Sequence, residues 1–246
     1  MSLPQEDFLA PFTAEALPCK DGPYLVLAPH ADDESIGMGG TLAKAARAGI
    51  ALHVAVMTDG AQGGSVENLV KRRQQEVKAA ADLLGVRYLH FLEQPDRGLS
   101  VSETSIKRIT QLIEEIQPAA VFFPGVQELH PDHRATALIA WRALQLQTRG
   151  KPQAFAYEIT VQSPLNCLVD ISAEMIDKER AIRCYESQLG EKPYIELVKA
   201  LNKLRTLTLP ATVQWAEGYY RFTESELGSS LQEWLQQRGA ASLQAS

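Results

Sequence analysis

The chain has 246 residues, 45% of them hydrophobic and 22% charged, and no apolar run approaches the roughly 18 residues that a membrane span requires. A formal charge of -6 argues against a nucleic-acid partner, for which a basic stripe is expected, and the one basic cluster, Lys71-Arg72-Arg73, is short. Three widely spaced cysteines, Cys19, Cys167 and Cys184, support neither a disulfide framework nor a thiolate zinc site.

The first element is an apolar run over 24–29, a strand, closed by the crowded polar segment Pro29-His30-Ala31-Asp32-Asp33-Glu34. A second strand is predicted over 51–58, leading into Thr58-Asp59-Gly60. Val66, Leu69, Val70, Val77, Ala80 and Leu84 then recur at helical spacing. A strand over 88–92 precedes Glu93-Gln94-Pro95-Asp96, and a helical stripe follows at Ile106, Ile109, Leu112, Ile113 and Ile116. The next strand, 120–124, runs towards His130-Pro131-Asp132-His133. Strands over 154–160 and 166–171 come next. A helix capped by Ser172, with Glu174 in its first turn, is then expected to run to Gly190, and another amphipathic stretch follows Pro193. Residues 237–246 lack any period and read as a flexible tail.

This alternation predicts an α/β fold, a Rossmann-like three-layer sandwich with a mostly parallel sheet. No linker divides the chain, so one domain over 1–246 is expected. The start, Met-Ser-Leu-Pro-Gln-Glu-Asp, lacks the features of a secretory signal, which makes the cytoplasm the expected compartment. The oligomeric state is left open, a homo-oligomer included.

In an open parallel sheet, ligands bind beyond the carboxyl ends of the strands, and both polar motifs fall at that edge. A catalytic zinc takes three protein ligands from imidazole and carboxylate and leaves a further position for water. His30, Asp33 and His133 supply that count. Asp32 is then left beside the ion as a general base, and His130 faces the reacting carbonyl or the leaving group. Asp132 is placed to orient His130 or to tune it. Each motif also has a plainer reading: the acids complement a helix dipole, and His-Pro-Asp-His starts a helix with proline at its first position. Their joint occurrence at strand ends favours a site. His53 and His90, alternating within strands, read as structural.

Two other readings use the same residues. Two histidines and a carboxylate also form the facial triad of non-haem Fe(II) enzymes, but those are commonly antiparallel barrels and give Asp32 no task. Gly37-Met38-Gly39-Gly40 prompts a nucleotide- or S-adenosylmethionine-binding module. Here, however, acids fill the turn where a phosphate loop needs glycines.

Pro29 to Glu34 and His130 to His133 closely resemble the two signature motifs of the PIG-L/LmbE family of zinc-dependent N-deacetylases, with Ala31 where that family commonly has proline. Similarity continues through Thr58-Asp59-Gly60, Arg72 or Arg73 with Glu76, Ala80 and Leu84-Gly85, Asp96, Ser187-Gln188 and Glu217, and so covers roughly residues 22 to 222. The resemblance implies Zn2+ at His30, Asp33 and His133; the facial-triad reading makes Fe2+ or another divalent ion the alternative occupant of the same residues. It implies Asp32 as base and His130 as oxyanion stabiliser or general acid. Arg72 or Arg73 and Asp96 are the implied substrate contacts. The implied reaction removes acetyl from an N-acetylglucosamine-type sugar or glycoconjugate. Glu128-Leu129 depart from relatives that place an aromatic residue or glycine there.

Overall fold

The computed structural model describes residues 13–63, 67–148, 150–190 and 192–237. In chain order the elements are β1 (Ala14–Glu15), β2 (Tyr24–Ala28), α1 (Asp33–Arg47), β3 (Leu52–Thr58), α2 (Leu69–Leu84), β4 (Tyr88–Gln94), α3 (Glu103–Ile116), β5 (Ala120–Pro124), α4 (Pro131–Gln145), β6 (Gln153–Tyr157), β7 (Cys167–Asp170), α5 (Met175–Arg183), α6 (Glu186–Leu189), α7 (Tyr194–Leu204), β8 (Ala216–Phe222), α8 (Glu224–Gly228) and α9 (Leu231–Gln237). The six expected strands all form. The strand expected over 154–160 starts a residue early and stops at Tyr157. Of the expected flexible tail, positions 238–246 lie outside the described residues, whereas Gln237 ends α9.

The strands hydrogen-bond in the order β1-β7-β8-β6-β5-β2-β3-β4, parallel throughout except that β8 runs antiparallel to both its neighbours. Period-2 alternation sends side chains to two cores, as expected of a sheet covered on both faces. Val26, Val54, Phe122 and Phe155 face one core with α1, α2 and α5; Leu25, Leu27, Ala55 and Phe123 face the other with α3 and α4. Chain order reverses between β2 and β5, which are paired from Tyr24↔Ala120 to Val26↔Phe122. The crevice beyond their carboxyl ends is where such a sheet binds ligands.

Two expectations are corrected. The helix expected from Ser172 to Gly190 is two helices. Ser172 does not cap, because its hydroxyl donates to Asp170 and accepts from the N–H groups of Gln214 and Trp215. The path breaks at Tyr185, whose buried ring sends its hydroxyl to Glu34. In addition, β1 and β8 were absent from the strands read in the sequence. β8 carries Glu217, Gly218 and Arg221, and so shows no continuous apolar run.

Helix α1 leaves the helical path at Met38, where φ is -144°. Glu217 supplies what the interruption exposes: its carboxylate accepts from Gly40 N (2.9 Å) and Thr41 N (2.8 Å), from the Tyr219 hydroxyl (2.9 Å) and from Lys178 Nζ (2.6 Å). The glycines of this helix serve contact. A Cβ on Gly37 would land on the Tyr157 ring, and one on Gly40 would lie 2.7 Å from Ile171 Cβ.

Candidate metal centre and cleft

His30, Asp32 and Asp33 occupy the sharp turn from β2 into α1. The carbonyl of Pro29 accepts both the backbone N–H (3.0 Å) and the hydroxyl (2.9 Å) of Thr58, tying the end of β2 to β3. Asp32 has φ of 142°, a conformation that a non-glycine residue holds only where its surroundings enforce it. The second motif opens α4: His130 is the N-cap residue, its Nδ1 accepting from Asp132 N at 3.2 Å, and Pro131 takes the first helical position. With Nδ1 an acceptor, the neutral ring carries its proton on Nε2.

Asp33 Oδ2 is the centre of the constellation. It lies 3.2 Å from His30 Nδ1 and 3.3 Å from His133 Nε2. Bonds of about 2.0–2.1 Å to one tetrahedral ion place ligand atoms about 3.3–3.4 Å apart. Both pairs through Asp33 therefore have the donor types and spacing of a zinc-sized divalent ion, while the ligand atoms that gather within 4.8 Å of one another are those of His30, His130 and His133 and those of His30, Asp96 and Asp132. His130 adds a third imidazole, with ring centroids 4.7 Å from His30 and 5.1 Å from His133.

Carboxylates stand behind the imidazoles. His30 Nε2 is 3.1 Å from Asp132 Oδ2 and 3.3 Å from Asp96 Oδ1. Sequence reasoning assigns Asp132 to His130, but its carboxylate is 3.9 Å from His130 Nδ1 and closer to His30, while Arg97 N and Leu99 N donate to it. Asp96 likewise faces His30 and accepts from Gln62 N. Glu128, absent from the predicted site, places Oε2 3.4 Å from His133 Nδ1. Its partners at 133 and 159–161 meet it only in the fold.

The choice between the two arginines has a clear geometry. Arg73 is 3% exposed; its Nη2 donates to Ala31 O at 2.9 Å and reaches Asp32 Oδ1 at 3.4 Å. Gly60 and Gly63 lie against its guanidinium, where a side chain would collide. Arg72 turns outward to Glu76 and Glu186. Helical phase was the available signal, because residue 73 shares a face with Leu69, Val77 and Ala80.

Electrostatics follow burial and pairing. Burial, opposed by Arg73, pushes Asp32 up to about 7. Burial would also raise Asp33, but the facing imidazoles, His133 foremost, hold it far below the usual carboxylate range. Burial would lower His133, yet Asp33 and Glu128 bring it to about 9; His30 is likewise raised well above its ordinary value, by Asp132, Asp33 and Asp96. His130 is lowered by burial and by the other two imidazoles.

These groups line a cleft of about 660 Å³ whose walls include Ile36, Gln62, Arg97, Leu129, Ile159 and Lys192. The expected pocket loops 60–66, 93–100 and 125–129 each contribute, although 64–66 lie outside the described residues.

Fold and site together define a Rossmann-like α/β protein with a candidate metal centre at its strand-order reversal. Residues 25–144 match the family model PIG-L, GlcNAc-PI de-N-acetylase. Diacetylchitobiose deacetylase of Thermococcus kodakarensis is 32% identical over 204 residues, covering 71% of this chain and 75% of that protein. A probable N-acetyl-alpha-D-glucosaminyl L-malate deacetylase 2 of Bacillus anthracis is 26% identical over 212 residues, covering 78% and 91%. Among solved structures, N,N'-diacetylchitobiose deacetylase from Pyrococcus horikoshii superposes with a TM-score of 0.74 at 28% identity, covering 82% of this chain and 85% of that one. The chain belongs to the PIG-L family.

Proposed function

We propose that this protein is a metal-dependent hydrolase that removes the N-acetyl group from an N-acetylglucosamine-type sugar or glycoconjugate. The observation that carries the reading is the convergence of His30 and His133 on Asp33 Oδ2, with Asp32 held beside them by Arg73. His30, Asp33 and His133 would hold Zn2+, or Fe2+ or another divalent ion in its place. Bound there, the ion supplies Lewis acidity, polarising a carbonyl and acidifying water.

The chain's own residues account for the proton movements. Asp32, raised to about 7, is a base matched to neutral pH and takes a proton from the attacking water. The Nε2–H of His130 donates a hydrogen bond to the oxygen on which negative charge develops, and the proton that Asp32 took from water passes to the departing nitrogen. Acetate and a free amine leave. Asp132 and Asp96 fix the His30 ring from behind, and Arg73 holds the Ala31–Asp32 backbone. The cleft suits one or two sugar rings rather than a polymer surface. Among the described residues no helix is long and apolar enough to cross a membrane. A single domain acting in the cytoplasm is part of the proposal.

The test is release of acetate and free amine from a panel of N-acetylglucosamine glycosides, comparing zinc-loaded protein, chelated protein and Asp32→Ala. Metal-dependent release lost in Asp32→Ala is the expected result. Protein that binds no metal through His30, Asp33 and His133 would overturn the reading.

A further inference from the structure

The deepest acid of the second motif region has no part in the reaction just described. Glu128 is 1% exposed and lies between two structures that the site needs. Its Oε1 accepts three successive backbone N–H groups, from Ile159 (3.0 Å), Thr160 (3.0 Å) and Val161 (3.2 Å). Its Oε2 accepts the Thr160 hydroxyl and faces His133 Nδ1 at 3.4 Å. That nitrogen makes no well-aligned hydrogen bond, although the ring is buried. Ile159 and Thr160, in turn, line the cleft.

We infer that Glu128 is a positioning residue that fixes His133 through Nδ1 and couples that ligand to the 159–161 wall of the cleft. The inference rests on the metal-centre reading above. The chemistry is directional. A carboxylate facing Nδ1 keeps a proton on that nitrogen, so the proton that a cation displaces is the one on Nε2, whose lone pair is then aimed beside Asp33. Three backbone donors occupy Oε1 and prevent the carboxylate from swinging in as a ligand itself. The same three bonds set the 159–161 backbone, so a shift of the wall moves the carboxylate and a shift of the carboxylate moves the ring. Binding free energies are reciprocal: whatever seats against Ile159 and Thr160 and straightens this link also tightens the metal, and by the same factor the metal tightens it.

The experiment compares wild type, Glu128→Gln and Thr160→Val by competition for Zn2+ with a chromophoric chelator, together with the visible spectrum of each protein loaded with Co2+. Glu128→Gln keeps the size of the side chain and an oxygen for the backbone donors but removes the charge facing Nδ1. The expected result is about a 10- to 100-fold weaker zinc affinity with a displaced cobalt spectrum. Thr160→Val, which leaves Glu128 intact, should show a smaller change of the same sign. Melting of the metal-free proteins separates these effects from general unfolding. Should Glu128→Gln fail to fold, the Thr160→Val result decides: a weakened affinity supports the link, and an unchanged affinity and spectrum overturn it. Wild type that loads zinc alongside a folded Glu128→Gln that loads it equally, with the same cobalt spectrum, sinks this inference alone. Wild type that takes up no metal sinks it together with the metal centre.

Discussion

Lys178 Nζ stands 2.6 Å from Glu217 Oε1, both side chains fully enclosed, and the same carboxylate holds the N–H groups of Gly40 and Thr41. The pair therefore joins α5 and β8 to the interrupted helix that begins at the site. Removing one partner strands a charge in the interior. Lys178→Met is expected to cost about 3–5 kcal/mol in urea unfolding, and Glu217→Gln less, because an amide oxygen still accepts from the helix.

Contact at Gly37 is as demanding. Its missing side chain is the space that the Tyr157 ring occupies, and the Tyr157 hydroxyl is committed to Leu27 O at 2.9 Å. Gly37→Ala should lower stability by about 1–3 kcal/mol, read as a lower Tm. The double variant Gly37→Ala with Tyr157→Phe, which removes the hydroxyl and its bond to Leu27 but keeps the ring, should recover little.

The two adjacent arginines should separate cleanly. Arg73→Lys keeps a cation but not the fork that spans Ala31 O and Asp32 Oδ1, so kcat is expected to fall about 100-fold as Asp32 loses its placement. Arg72→Ala, on the outer face, should change kcat little and stability by about 0.5 kcal/mol or less. Equal losses in the two variants would contradict the geometry.

Proton release accompanies the proposed metal uptake. His133 is raised to about 9 and His30 well above its ordinary value, so at neutral pH both rings hold protons that a cation must displace. Apparent zinc affinity should then rise with pH up to about 9 and weaken steeply below neutrality. Calorimetry in buffers of different ionisation enthalpy should find protons released at pH 7; zero release would show that neutral rings already face Asp33.

Tyr24 to Ala28 and Ala120 to Pro124 were legible because a buried parallel strand is a continuous apolar run and each is followed by its polar motif. Their adjacency across the strand-order reversal follows from βα alternation, so the meeting of His30, Asp33 and His133 was foreseeable. β8 was not, because its buried Glu217 reads as solvent-facing until Lys178 and two helix N–H groups are known to meet it. Glu128 escaped for the same reason. Its partners at 133 and 159–161 are gathered by tertiary structure, which pattern along the chain does not record.

The position of β8 orders events during synthesis. A ribosome that has released the chain through His133 has made every candidate ligand, yet Ala216–Phe222, which pairs with both β6 and β7 and steadies α1 through Glu217, is still to come. Until that strand arrives the nascent chain carries the candidate ligands on an unsecured helix, so their arrangement is secured only once Ala216–Phe222 has been made. A truncation before Ala216 leaves both sequence motifs intact and removes the strand that steadies them.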